Sequence, residues 1–139
     1  PHVDIDKVIR MCLIHDLGEC FIGDIPTFAK TDADEAREEA ELMAWVRSLT
    51  EPVSREMEAL YREMIALETP EAKLYKSLDK LEAIVQHNES DIATWEPHEY
   101  QLNMTYADDA VAWSQVLREL REEIRNDTKA KIAAAEQKD

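Results

Sequence analysis

Residues 4–28 read DIDKVIRMCLIHDLGECFIGDIPTF. Up to Leu17 the apolar residues Val8, Met11, Cys12 and Ile14, with Leu13 beside them, recur at helical spacing, which predicts a buried helix from about Asp4 to Leu17. Asp4 or Asp6 offers an N-cap for it, and Gly18 a stop. Residues 19–31 then predict an ordered loop or short helical turn, punctuated by Gly23 and Pro26. Gly18 and Gly23 are the only 2 glycines of the chain, so hairpin chemistry is almost absent elsewhere, and no strand alternation is visible.

Outward from this stretch the pattern stays helical. Asp32 offers an N-cap with Glu35 three residues on, opening a helix to about Leu49 whose stripe is Leu42, Met43, Trp45, Val46 and Leu49. Pro52 suits the first turn of the next helix, which carries Met57, Leu60, Tyr61, Met64 and Leu67. Thr69-Pro70-Glu71 is a helix start, and Leu74, Leu78, Leu81, Ile84 and Val85 extend that helix to about His87. Between Glu89 and Tyr106 the pattern fails, which predicts a connection with short helical pieces. A last helix from about Ala107 carries Val111, Val116, Leu117, Leu120 and Ile124, and a polar, Ala-rich end from Asn126 is expected to fray. The expectation is one all-α domain over residues 1–139, with about five helices, short connections and one core.

The charge narrows the function. With 31 acidic against 16 basic side chains the net charge is −15, which repels phosphate backbones and anionic lipid and disfavours nucleic-acid polymers and membranes as partners. A small anionic substrate remains compatible, because a bound cation overrides the global field locally. No apolar run approaches the roughly 20 residues a membrane helix needs, and no signal peptide is visible. The 2 cysteines, Cys12 and Cys20, read as lone thiols of a reduced, cytoplasmic protein, Cys12 in the core and Cys20 a buried small residue. The chain starts at Pro1 rather than at a methionine, which reads as a fragment.

Few residues carry chemistry. His15-Asp16 interrupts an apolar helix, where an ionised carboxylate costs several kcal/mol, on the order of a lost buried ion pair, unless it is paired or binds a metal. Imidazole plus carboxylate suits a divalent ion lying over the helix face. Taken alone, the pair also fits a core histidine beside a helix-end carboxylate. Asp79, in KSLDKLEAI, falls at the edge of the apolar stripe between Leu78 and Leu81. It is either a third ligand from a second helix, as bundle metal sites are built, or a surface carboxylate flanked by Lys76 and Lys80. Glu19 follows the pair by three residues, where it can touch a metal-bound water as a general acid or base. Asp24 sits between Gly23 and Ile25-Pro26, in a loop fit for close approach to a ligand or for a simple Asx-type turn. His87 and His98 read as solvent-facing, and His2 lies in a start expected to fray.

Together, LIHDLGECFIGDIPTF and KSLDKLEAIVQHNE, whose Asp16 and Asp79 lie 63 positions apart, resemble the HD-domain metal-dependent phosphohydrolases. Within them the chain is most similar to the 5′-deoxynucleotidase branch, in which the His-Asp pair is followed by a Glu and a Gly-Asp-hydrophobic-Pro-Thr loop. Here these are His15, Asp16, Glu19, Gly23, Asp24, Ile25, Pro26 and Thr27. The resemblance covers roughly residues 5 to 120.

The resemblance implies an all-helical fold holding one divalent ion (Mn, Co, Fe, Zn or Mg), with His15, Asp16 and Asp79 as three of four ligand residues. It implies that Glu19 activates the attacking water, and that Asp24, with Thr27 in the same loop, binds the substrate and favours a deoxyribose. It implies a cytoplasmic homodimer acting on a deoxynucleoside monophosphate. The family's first ligand is a histidine on an earlier helix, and only fourteen residues precede His15, so part of the site is expected to be missing and Val8, Met11 and Leu13 to be exposed. Three functions remain: 5′-phosphate removal from nucleoside monophosphates, hydrolysis of another phosphoester, or a non-catalytic binding or assembly module that keeps the helical shell.

Overall fold

The computed structural model describes residues 2–25 and 30–137. It is all-α, and among the described residues it contains no strand. Among the described residues five helices have ten residues or more, as many as expected: α1 (Ile5–Ile14), α3 (Asp32–Ser48), α4 (Val53–Ala66), α5 (Pro70–Glu89) and α8 (Gln115–Glu136). Shorter helices α2 (Glu19–Ile22), α6 (Pro97–Thr105) and α7 (Asp108–Val111) lie in the connections. Packing divides the chain into two units, Pro1–Tyr75 and Lys76–Asp139, the division falling within α5. Among the described residues no helix is long and apolar enough to cross a membrane.

In the first unit the core is Val8, Met11, Leu42, Met43, Val46, Tyr61, Met64 and Tyr75, against which Cys12, Ile14 and Leu17 pack in part. The expected exposure of Val8 and Met11 is therefore corrected: both are buried, and Leu13 alone of that trio is exposed, at 76%. What α1 leaves uncovered is its opposite face, Ile5, Ile9 and Leu13, one helical repeat apart. Cys20 is exposed rather than buried. Asp4 caps α1 by accepting from the Lys7 amide, and its own amide donates to Glu71 Oε1 at 2.9 Å, which ties α1 to the start of α5. Thr31, not Asp32, caps α3. Its hydroxyl oxygen accepts from the Asp34 amide while Asp34 Oδ2 accepts from the Thr31 amide, a reciprocal capping box one residue earlier than expected.

In the second unit α8 buries Leu117, Arg121, Ile124 and Thr128 and leaves Val116 and Leu120 exposed. The polar end predicted to fray is helical to Glu136. Its anchor is polar: Thr128 Oγ1 donates to Asn88 Oδ1 at 2.9 Å, and Asn88 Nδ2 donates to the Ile124 carbonyl at 3.1 Å. Arg121, only 1% exposed, caps α6 from outside. Its Nη2 donates to the Asn103 carbonyl and its Nε to the Tyr106 carbonyl, both at 2.9 Å, and Asp108 Oδ1 lies 3.1 Å from Nε. These carbonyls belong to a helix end that would otherwise be unsatisfied, where the chain turns through a positive φ of 70° at Ala107. Arg121→Met is expected to lower unfolding stability by about 2–5 kcal/mol, since one buried and one partly buried carbonyl lose charge-assisted donors. Urea denaturation monitored by circular dichroism checks it.

Candidate metal centre

The His-Asp pair lies just past α1, in a turn held from two sides. Tyr61 of α4 donates its hydroxyl to the Ile14 carbonyl at 2.6 Å, closing the end of α1. Burial pushes the Tyr61 phenol up to about 12, with the nearby Cys20 adding to the shift, so it remains a donor. Gly18 does not stop a helix, as its backbone is right-handed helical (φ −59°). It is small for another reason: a Cβ there would meet the Glu38 side chain of α3 at 2.7 Å. Glu38 is in turn paired with Lys30 Nζ at 2.5 Å. At the end of α2, Gly23 adopts φ 87°, a conformation that suits glycine, and its amide donates to the Glu19 carbonyl at 2.7 Å.

His15 is oriented by its backbone. The Cys12 carbonyl lies 2.7 Å from His15 Nδ1 and can only accept, so Nδ1 carries the hydrogen and Nε2 of the neutral ring is a lone pair. That Nε2 lies 3.0 Å from Asp16 Oδ2. Two acceptors so close need a proton or a cation between them. Metal-binding imidazoles use this arrangement, one ring nitrogen on a carbonyl and the other on the ion. Atoms that each bond one ion at about 2.0–2.2 Å stand about this far apart. A divalent ion therefore fits the pair.

Glu19 opens α2, one turn past Asp16. Its carboxyl is raised above the usual range by burial first, then by Asp16, Asp24 and Glu38, with Lys30 opposing. Glu19, Asp16, Asp24 and Glu38 thus share one acidic neighbourhood tempered by a single described lysine, whose own charge Glu38 reinforces. Asp24 is exposed after Gly23, and Thr27 lies outside the described residues. Asp79 lies on α5 in the second unit, where its Oδ2 accepts from Lys76 Nζ at 2.7 Å. Among the described residues no three His, Cys, Asp or Glu side chains are grouped so that they could hold a metal ion. His87 is half-buried rather than solvent-facing, with Nδ1 3.1 Å from Asn103 Oδ1 and Nε2 3.6 Å from Glu99 Oε1, whereas His2 and His98 are exposed.

Sequence reasoning missed Glu38 and Lys30. Glu38 is one of six acidic residues between Asp32 and Glu41, and nothing in its spacing marks it. The one hint was Gly18, a small residue where no turn requires it.

A family model described as HD domain matches residues 1–121, and the chain belongs to this family. Over 101 residues it is 34% identical to a Danio rerio protein named 5′-deoxynucleotidase HDDC2, covering 71% of this chain and 50% of that protein. Relatives of the same name from Homo sapiens (32% over 98 residues, 69% and 48% covered) and Dictyostelium discoideum (33% over 101, 71% and 52%) agree. The chain spans about half the length of the curated relatives it matches. No solved structure matches it significantly.

Proposed function

We propose that this chain carries the hydrolytic centre of a metal-dependent phosphomonoesterase that removes the 5′-phosphate of deoxynucleoside monophosphates. The observation that carries the reading is the His15–Asp16 pair, with its imidazole tautomer fixed by the Cys12 carbonyl and a raised carboxyl one turn later. The names of the relatives support the substrate class. The family match over residues 1–121 runs across the division within α5, which supports treating the chain as part of one HD-type domain.

In this reading His15, Asp16 and Asp79 hold one divalent ion, which when bound polarises a phosphoryl oxygen and acidifies water. Cys12, through its carbonyl, keeps His15 Nε2 available to that ion. Glu19 takes the proton of the attacking water on its carboxylate, which burial and the neighbouring carboxylates make more basic than an ordinary glutamate. Asp24, carried by the Gly23 turn, meets the sugar. Its fit to a deoxyribose disfavours the additional hydroxyl of a ribose.

The test is phosphate release from matched deoxy- and ribonucleoside monophosphates in the presence of each of several divalent metals. Deoxynucleotides are expected to be turned over with the higher kcat/KM, and chelation to abolish release. Asp24→Ala is expected to slow the deoxy substrates and narrow the deoxy-to-ribo ratio. No release with any metal would overturn the reading in favour of a non-catalytic module. An unchanged ratio in Asp24→Ala would remove Asp24 from the sugar.

A further inference from the structure

We infer that two copies of this chain pair through the groove between α3 and α4, with α3 of one copy lying antiparallel on α3 of the other. The pairing is independent of the hydrolytic reading above and involves the first unit alone.

The groove follows from the sequence of α3. Ala36, Ala40, Met43 and Arg47 are spaced four, three and four residues apart, the period of a seam that faces another helix. Met43 is buried at its floor, and Ala36 and Ala40 are exposed beside it. Ile65 of α4, 50% exposed, stands on the opposite wall. The space between the two helices is about 640 Å³. Short side chains on one wall let a second helix approach closely.

Charge selects the occupant. Two copies at −15 each repel overall, so pairing needs a place where opposite charges meet. Arg47 and Arg62 supply the positive side. Both donate Nε and Nη2 to one oxygen, Glu58 Oε1, at distances between 2.7 and 3.2 Å. One carboxylate thus holds two guanidiniums and leaves a net positive charge at that end of the groove, with both arginine side chains more than half exposed. The first half of α3 supplies the negative side. It carries six acidic residues between Asp32 and Glu41 against one basic residue, Arg37. Asp34 is committed to Thr31 and Glu38 to Lys30. Asp32 and Glu39, seven residues apart and so on one face, are exposed, and Glu39 lines the groove itself. An antiparallel pairing centred on Ala40 brings Asp32 and Glu39 of each copy to Arg47 and Arg62 of the other. The two-fold axis makes this contact twice.

The experiment is a charge exchange read by sedimentation equilibrium, with circular dichroism on each variant. The wild-type chain is expected to form dimers. Arg47→Glu/Arg62→Glu and Asp32→Lys/Glu39→Lys are each expected to dimerise at least about 10- to 100-fold more weakly, because like charges then meet at both ends. An equimolar mixture of the two is expected to recover dimers, since each end again joins opposite charges, and recovery requires both variants to be folded. Ile65→Asp, at an exposed position that folding does not need, is expected to weaken dimers as well. A monomeric wild type would overturn the inference. So would wild-type dimerisation in either charge variant or in Ile65→Asp, or a mixture of folded variants that stays monomeric. Dimers lost only in Leu13→Asp would place the interface on α1 and overturn it too.

Discussion

Glu19→Gln is expected to retain its metal and to lose about 10²–10⁴-fold in kcat, the usual worth of a positioned general acid or base. The amide keeps the size and the hydrogen-bonding reach of the carboxylate but cannot accept a proton. Gly18 and the Gly23 amide hold the α2 backbone on either side, and neither contact involves the Glu19 side chain, so the fold should be preserved. The wild-type pH profile adds a second readout. Burial and three neighbouring carboxylates raise Glu19, so its proton is held to higher pH than in an ordinary glutamate. A base must be deprotonated to act. The acid limb of kcat/KM is therefore expected to move to lower pH in Glu38→Gln, which removes one raising charge. Near-normal turnover in Glu19→Gln would remove it from the chemistry, and loss of metal would make it a ligand instead.

The second large effect concerns the metal itself. Asp79→Ala is expected to lower bound metal at least about ten-fold, since even the partners that orient metal ligands are worth about 10–100-fold. The anchoring of Ser77 to Ala110 and Trp113 holds this turn of α5 independently of the Asp79 carboxylate, so the variant should stay folded. Elemental analysis beside thermal unfolding checks both statements. Equal metal content in wild type and variant would refute Asp79 as a ligand.

The helices that sequence makes plain are those whose buried face is apolar at the helical period. Val8 and Met11 on α1, Leu42, Met43 and Val46 on α3, and Tyr61 and Met64 on α4 are all buried as their spacing implies. The pattern fails where polar groups face inward. α8 continues past Asn126 because Thr128 is buried on a hydrogen bond to Asn88, and α6 turns Asn103 inward, so neither presents an apolar stripe to read. Exposure was misjudged on α1 because the expectation rested on a missing earlier helix, whereas α3 and α4 cover Val8 and Met11. Val8 and Met11 found the core, and Ile5, Ile9 and Leu13 took the outer face. At the site, His15, Asp16 and Glu19 were legible because polar groups stand out in an apolar helix and its sequel. Glu38 and Lys30 were not, because they reach Gly18 and Glu19 only through the packing of α2 on α3, which no local pattern encodes.

That packing of α2 on α3 also gives the chain an optical gauge. Phe21, two residues after Glu19, lies with its ring 6.1 Å from that of Trp45, and both side chains are more than a third open to solvent. Trp95 and Trp113, by contrast, have their indole hydrogens committed within the second unit, Trp95 to the His87 carbonyl and Ser90, Trp113 to Ser77. Any shift of the α2 turn changes the polarity around the Trp45 indole. Tryptophan emission thus follows the segment that carries Glu19 without an added label.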